Sequence, residues 1–468
     1  MNPADLWLAL GRAFLIAFVL TPIVRDIFRA YNVVDRPGKR KVHAYPIPRV
    51  GGIPIMAAYV STILLLKFPD PPGPAGEVLS ILPAATAIFL TGLIDDFFDL
   101  SPKVKLSGQI VAASLAWAYG IKLESLAGIA LPGWVGFPLS VIWLLFTTNA
   151  LNLIDGLDGL CAGMGFFATL AFFAAARIED IPMLAVAAIP LAGALLGFLL
   201  YNFNPATVFL GDSGALLIGF LTGCYGLVWA SHETTFASSL VPFLAMAVPL
   251  LDVLLSIARR SVKGQPVFQA DRGHTHHRLL NRGLSVRQSA VVLYGFAFTG
   301  GLFAVLLGYK PVLGGYHLAV VLGFCLACWA GIRQLRYAEF EVAGNLLFKG
   351  GFRREVAREL KLRELGEKLE AAQNTVQWRD ALCAFGRAEG WHRVSVDLVA
   401  ENDSFELVLA AIPPEWSLSI RLDDLQSVQI EGASQAGGNP VDLTELTALV
   451  RRTFSSHQST GNSDSRAR

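Results

Sequence analysis

Apolar windows of roughly 16–22 residues, the length that crosses a bilayer as an α-helix, recur about eleven times along this chain. They fall near 7–28, 50–68, 78–94, 106–121, 136–151, 159–177, 181–200, 208–230, 238–258, 289–308 and 313–331. A soluble α/β protein has no use for so many long windows, because its helices need a polar face for water. With 53% hydrophobic residues and a mean hydropathy of +0.50, the expected fold is an all-α polytopic membrane protein of about eleven transmembrane helices. The first window lacks a basic leader and is preceded by Asp5, so it reads as a retained span and not as a signal peptide. The formal net charge of +1 gives no footprint for nucleic acid. Cys325 and Cys328 form a C-x-x-C inside an apolar window, where packing is a simpler reading than redox chemistry.

Lys and Arg in short loops mark the cytoplasmic side. The loop after the first window carries Arg29, Arg36, Lys39, Arg40, Lys41 and Arg49, and the loop after the ninth carries Arg259, Arg260, Lys263, Arg272, Arg278, Arg282 and Arg287. Loops after even-numbered windows are almost bare of them. The odd windows therefore exit to the cytoplasm, which puts the N-terminus outside and the chain beyond about 332 inside.

That last part differs in character. Residues 353–372 read as an amphipathic helix, and alternating apolar positions around Val394, Phe405 and Trp416 read as half-buried strands. The expected organisation is a transmembrane domain over 1–331, a cytoplasmic accessory α+β domain over 332–453, and a Ser-rich disordered tail over 454–468.

The polar motifs share one face. TGLIDDFFDL brings Asp95, Asp96 and Asp99 to the end of the third window. NALNLIDGLDGL, with Asn152, Asp155 and Asp158, follows the fifth, and FLGDSG, with Asp212, follows the seventh. ADRGHTHHRLL, with Arg272, His274, His276 and His277, lies after the ninth, and DRPGKRKVHAYPIPRVGG, with Lys41 and His43, after the first. Carboxylates with an amide oxygen suit a hard divalent cation, Mg²⁺ or Mn²⁺. Lys, Arg and His suit phosphate oxygens. The mixture describes metal-assisted phosphoryl transfer between a water-soluble and a lipid-borne substrate. Blander readings exist for each motif. Three acids could solvate a helix end, although they oppose the dipole there; N-L-I-D-G could be an ordinary Asx turn; the histidines could hold zinc; the first basic loop could serve orientation alone.

These five motifs, in this order, resemble the polyprenyl-phosphate N-acetylhexosamine-1-phosphate transferase family over roughly residues 10–331: D-x-P-x-x-R-K-x-H…P-x-x-G-G, D-D-x-x-D, N-x-x-D-G-x-D-G, F-x-G-D-x-G and H-x-H-H. The A-D-x-x-H-x-H-H form after the ninth window is similar to the family's UDP-N-acetylglucosamine branch; the branch that takes UDP-MurNAc-pentapeptide carries three consecutive histidines. The resemblance implies transfer of a sugar-1-phosphate from UDP-GlcNAc to undecaprenyl phosphate, a membrane lipid, with release of UMP and with a cell-surface polysaccharide such as O-antigen or teichoic acid as destination. UDP-GalNAc or another UDP-hexosamine is the alternative donor. The resemblance also implies Mg²⁺, with Mn²⁺ as substitute, held by Asp212 and Asn152. Asp95 and Asp96 would lie beside the metal and lipid phosphate. Asp155 would hold uridine, supported by Asp158. Lys105 would face the pyrophosphate; His274, His276, His277 and Arg272 would contact phosphate or sugar, and Lys41 and His43 would form the rim. A homodimer is implied as well, and the tail could recruit a downstream glycosyltransferase. A transporter is the alternative of another class, since intramembrane acids also mark ion pathways.

Overall fold

The computed structural model describes residues 2–35, 46–66, 78–232, 235–263, 274–309, 315–334, 352–372, 374–389, 391, 393–398, 403–408, 416–421, 426–432 and 446–453. Lys41, His43, Arg272 and the expected tail over 454–468 lie outside them.

The chain divides into two units, one built from residues 1–257 and 270–335, the other from 258–269 and 336–468. The first is helical: α1 (Pro3–Ala30), α2 (Gly52–Leu64), α3 (Ile81–Phe98), α4 (Pro102–Ala118), α5 (Gly133–Ile154), α6 (Leu160–Ile178), α7 (Pro182–Asn202) and α8 (Gly211–His232). There follow a 3-10 turn at Ser238–Leu240, α9 (Val241–Ala245), α10 (Ala247–Lys263, assigned to this unit as far as residue 257), α11 (Thr275–Asn281), α12 (Val286–Gly308) and α13 (Tyr316–Gln334). Every apolar window carries helix, but not of one kind. Among the described residues seven helices are long and apolar enough to cross a membrane: α1, α3, α5, α6, α7, α8 and α12. The ninth window is not straight. It bends by 80° between Ser238–Ala245 and Ala247–Arg260, and it makes an eighth span only if the bent pair counts as one. α2 and α4 are 13 and 17 residues long, and α13 is apolar only over Tyr316–Gly331.

α8 is the axis of this unit. Its span window is wholly buried inside the protein, whereas that of α1 is mostly exposed. The difference follows from composition. α8 is lined with Gly, Ala, Ser and Thr, which let other helices approach closely, while α1 presents large aliphatic and aromatic residues. Because α8 begins at Gly211, this central packing also fixes the position of Asp212.

In the second unit α14 (Phe352–Glu370) and α15 (Thr375–Glu389) precede a four-stranded antiparallel sheet. The strands β3 (Arg393–Leu398), β4 (Asp403–Val408), β5 (Trp416–Arg421) and β6 (Gln426–Gly432) lie in the order β4-β3-β6-β5; β1 and β2 are the two-residue strands Ser125–Leu126 and Ile129–Ala130 of the first unit. Val394 pairs with Ile430, and Ile430 with Leu418, so apolar residues share one face. A short helix over 446–453 adds Leu446 and Val450 to the core made by Leu365, Leu369, Trp378, Leu382, Val394 and Ile430. The helix and three of the strands sit where amphipathic periodicity predicts them. α15 and β6 carry the same two periodicities in shorter runs.

Candidate active site

The three acids of D-D-F-F-D do three different things. Asp95, 8% exposed, turns one carboxylate oxygen to the Leu100 N–H, which donates at 2.7 Å, and the other to Lys105 Nζ at 2.8 Å. Asp96 faces another helix: its two oxygens accept from the backbone N–H groups of Asp212 at 2.7 Å and Ser213 at 2.9 Å. These are orphan donors of the first turn of α8, and a carboxylate there satisfies both hydrogen bonding and the helix dipole. Asp99 ends α3 in the left-handed region, φ 47°, with its N–H on the Asp95 carbonyl, and so turns the chain toward α4. Asp is one of the few side chains that accept this conformation.

Lys105 lies in the first turn of α4. Its ammonium sits among three oxygens: Asp212 Oδ1 at 2.6 Å, Asp95 Oδ2 at 2.8 Å and Asn152 Oδ1 at 3.3 Å. Asn152 also donates from Nδ2 to Asp212 Oδ1 at 2.5 Å. Four helices, α3, α4, α5 and α8, thus each bring one side chain to a single cation position. One turn deeper, Gln109 and Asn149 exchange reciprocal side-chain hydrogen bonds at 3.2 and 2.7 Å. Gln109 is four residues after Lys105 and Asn149 three before Asn152, so this amide pair locks the register that presents the two site residues together.

The loop after α5 makes the second wall. Asp155 is half-buried, and burial, followed by the charge of Asp212, pushes its carboxyl up to about 7, with Arg49 opposing. Asp158 is turned away from the cluster. It accepts from Asn204 Nδ2 at 2.8 Å and from the Ala206 N–H at 3.0 Å, pinning the loop that leads into α8. The sequence reading has Asp96 beside the metal and lipid phosphate and Asp158 in support of Asp155; in the structure Asp158 anchors the loop before α8 and Asp96 caps that helix. Gly156 touches the histidine loop: a Cβ there would fall 2.5 Å from His276 Nε2.

His274, His276 and His277 do come together, with successive ring centroids 5.8 and 4.3 Å apart. Burial and the neighbouring His277 lower the His276 imidazole to about 4, so it is neutral at physiological pH and offers a hydrogen bond, not a charge. His274 Nδ1 is 2.7 Å from Asp252 Oδ2, on α10. Asp252 is absent from the motifs above, although a single acid in an apolar window is itself a signal. Arg49 of P-R-V-G-G is the other addition: its backbone bridges to Phe209 and its charge acts on Asp155.

The glycines of that motif have a packing reason. Gly51 and Gly52 donate their N–H groups to the carbonyls of Phe209 and Leu210, and a Cβ on Gly52 would fall 2.6 Å from the Gly214 nitrogen. The first and fourth motifs are therefore one structural unit.

Among the described residues no three His, Cys, Asp or Glu side chains gather as a metal cage. The oxygens of Asp212, Asn152 and Asp95 do fit a hard cation. They converge where an ammonium already sits, and Mg²⁺ is commonly held by one or two carboxylates with substrate phosphates completing its shell.

Residues 78–230, which contain the whole Asp95–Lys105–Asn152–Asp212 cluster, match the family model described as glycosyl transferase family 4. The chain is similar to a probable undecaprenyl-phosphate N-acetylglucosaminyl 1-phosphate transferase of Bacillus subtilis, 34% identical over 302 residues that cover 63% of this chain and 83% of the relative. It is 35% identical over 314 residues to a decaprenyl-phosphate N-acetylglucosaminephosphotransferase of Mycobacterium tuberculosis, covering 60% and 77% of the two chains. An undecaprenyl-phosphate alpha-N-acetylglucosaminyl 1-phosphate transferase of Escherichia coli K12 is 28% identical over 344 residues, or 70% and 91%. With its apolar helices, its clustered site and these relatives, the chain belongs to glycosyl transferase family 4, as a multi-pass membrane enzyme that transfers a sugar phosphate to a polyprenyl phosphate.

Proposed function

We propose that the enzyme transfers N-acetylglucosamine-1-phosphate from UDP-GlcNAc to undecaprenyl phosphate, releases UMP, and so performs the first membrane step of a cell-surface polysaccharide. The observation that carries this reading is the Lys105 ammonium held by Asp95, Asn152 and Asp212: a cation position built near the ends of four helices. Two anionic substrates repel one another, and a site for their reaction needs fixed positive charge between oxygen ligands that hold it. The names of the bacterial relatives favour UDP-GlcNAc as donor. The transporter alternative needs acids near the bilayer midplane, whereas Asp95, Asp155 and Asp212 all stand at helix ends.

In the reaction, an oxygen of the lipid phosphate bonds to the sugar-bearing phosphorus as the bond from that phosphorus to the bridging oxygen breaks, and its electron pair leaves on UMP. A phosphate monoester has a second pKa of about 6, so the acceptor is already largely ionised and needs no strong base. Asp95 then serves to hold Lys105 and the loop at Leu100. Lys105 neutralises the pyrophosphate, and the neutral His276 donates one hydrogen bond. Mg²⁺ bound by Asp212 and Asn152 would supply Lewis-acid charge neutralisation at the pyrophosphate.

The proposal includes about eleven spans, the N-terminus outside, and the site and residues 332–453 on the cytoplasmic side of a bacterial inner membrane. UMP release by the purified protein, given Mg²⁺, undecaprenyl phosphate and UDP-GlcNAc, tests it. Release that is lost without the lipid or in Asp212→Asn is expected. Release with UDP-GalNAc alone would move the donor, and no release with any UDP-hexosamine would sink the reading.

A further inference from the structure

Asp252 is the acid the motifs leave out. It sits on α10 in the midst of an apolar run and is 3% exposed, in a place where a carboxylate is costly unless both oxygens are satisfied. Both are. Oδ2 meets His274 Nδ1 at 2.7 Å, and Oδ1 accepts from the Thr275 N–H at 2.7 Å and the Thr275 hydroxyl at 2.5 Å. All three partners belong to H-T-H-H. An ionised carboxylate only accepts, so the hydrogen of the first bond belongs to His274 Nδ1, and Nε2 is the nitrogen left to meet a substrate.

The consequence passes along the ring stack. His274 and His276 are nearly parallel, 7° apart, and His276 Nε2 abuts Gly156, beside Asp155. His276 is 2% exposed, yet its Nδ1 has no hydrogen-bond partner among the described residues. A buried polar atom left in that state is a place for a ligand or water to complete. A side chain whose only duty was to cap the short α11 would need Thr275 alone; the bond to the His274 ring has no such use.

We propose that Asp252 is a positioning residue of the transferase: it fixes the His274 tautomer and, through the His274–His276 stack, aims the histidines at the phosphate-bearing end of the nucleotide sugar. This rests on the transferase reading, and the two are tested apart. In the full chain labelled with ¹⁵N-histidine, which has eight histidines, the His274 signals are assigned by their loss in His274→Gln. A proton on Nδ1 is expected, with the ring neutral or cationic; a bare Nδ1 overturns the proposal, whatever the enzyme's activity. Turnover then gives a second arm. Asp252→Asn keeps the shape of the side chain and is expected to lower kcat about tenfold or more, with a smaller change in KM for UDP-GlcNAc. The double variant Asp252→Asn/His274→Gln is expected to be no slower than His274→Gln, because a residue that acts through another adds no further loss. Losses that multiply, or wild-type kcat in Asp252→Asn, would show that Asp252 does not act through His274. Wild-type protein without turnover would fail the transferase reading and leave the tautomer result standing on its own.

Discussion

Lys105 makes the ion pairs that tie Asp95 to Asp212, and each carboxylate would be left without its cation if the ammonium were removed. Lys105→Met should therefore lower UMP release by about 100-fold or more, the scale on which a preorganised electrostatic contact acts. Lys105→Arg should not rescue it, because a planar fork cannot replace a point charge among three converging oxygens. His276 gives a pH prediction with a definite sign. Its imidazole falls to about 4 in the folded protein, below the ordinary value near 6.5, so the unfolded chain binds more protons between those limits. Its contribution is intact above pH about 6.5 and is lost as pH falls toward about 4. His276→Gln should lose less thermal stability than wild type between pH 7 and pH 5; an equal loss in both would refute the assignment. At this scale the sequence shows which residues are chemically special, and it does not show their partners. D-D-F-F-D reads as one acidic cluster, yet adjacent residues on a helix point about 100° apart, which sends Asp95 to Lys105 and Asp96 to α8. Asp252 is legible as a lone acid, but its window averages as apolar and no neighbouring polar residue marks it.

The helices are held in register by close backbone contacts and a few polar pairs. Gly52→Ala would press a methyl group into the start of α8, where the Gly214 nitrogen lies 2.6 Å away and backbone cannot yield as a side chain can. Overpacking of this kind costs about 1–3 kcal/mol, and the displacement falls on Asp212. A lower unfolding temperature together with reduced turnover is expected; a stable protein that has lost activity would place the effect on the substrate instead. Asp96→Ala removes the α8 cap, at a cost of about 1 kcal/mol, and should lower the unfolding temperature while Asp96→Asn, which still accepts, lowers it less. Element positions follow from hydropathy because a continuously apolar run of bilayer length is read by its length alone. The 80° break near Met246 is marked by Pro249 alone, which cannot donate to the Ala245 carbonyl four residues before it, and a windowed hydropathy average passes over one proline in an apolar run.

At the scale of the whole chain, the two units have separate cores, one of membrane helices and one of α14, α15, the sheet and the helix over 446–453. Every described residue assigned to the cation cluster lies in the first unit. Protein ending near residue 335 should therefore retain transfer in vitro, measured as UMP release per assembled molecule. Loss of turnover in a well-folded truncation would give the second unit a catalytic part. α3 is attached at two points by consecutive residues, Asp95 to the lysine of α4 and Asp96 to the backbone of α8. A helix fastened on two sides of its axis cannot roll to admit a bulky lipid without breaking one fastening. The fastening to α8 is carboxylate on backbone, whereas the fastening to α4 runs through the long, flexible Lys105 side chain, so any movement of α3 is expected to begin at the lysine. In kinetic terms, an anion that drew the ammonium away would free one side of α3, and charge rather than shape would then set the pace of entry.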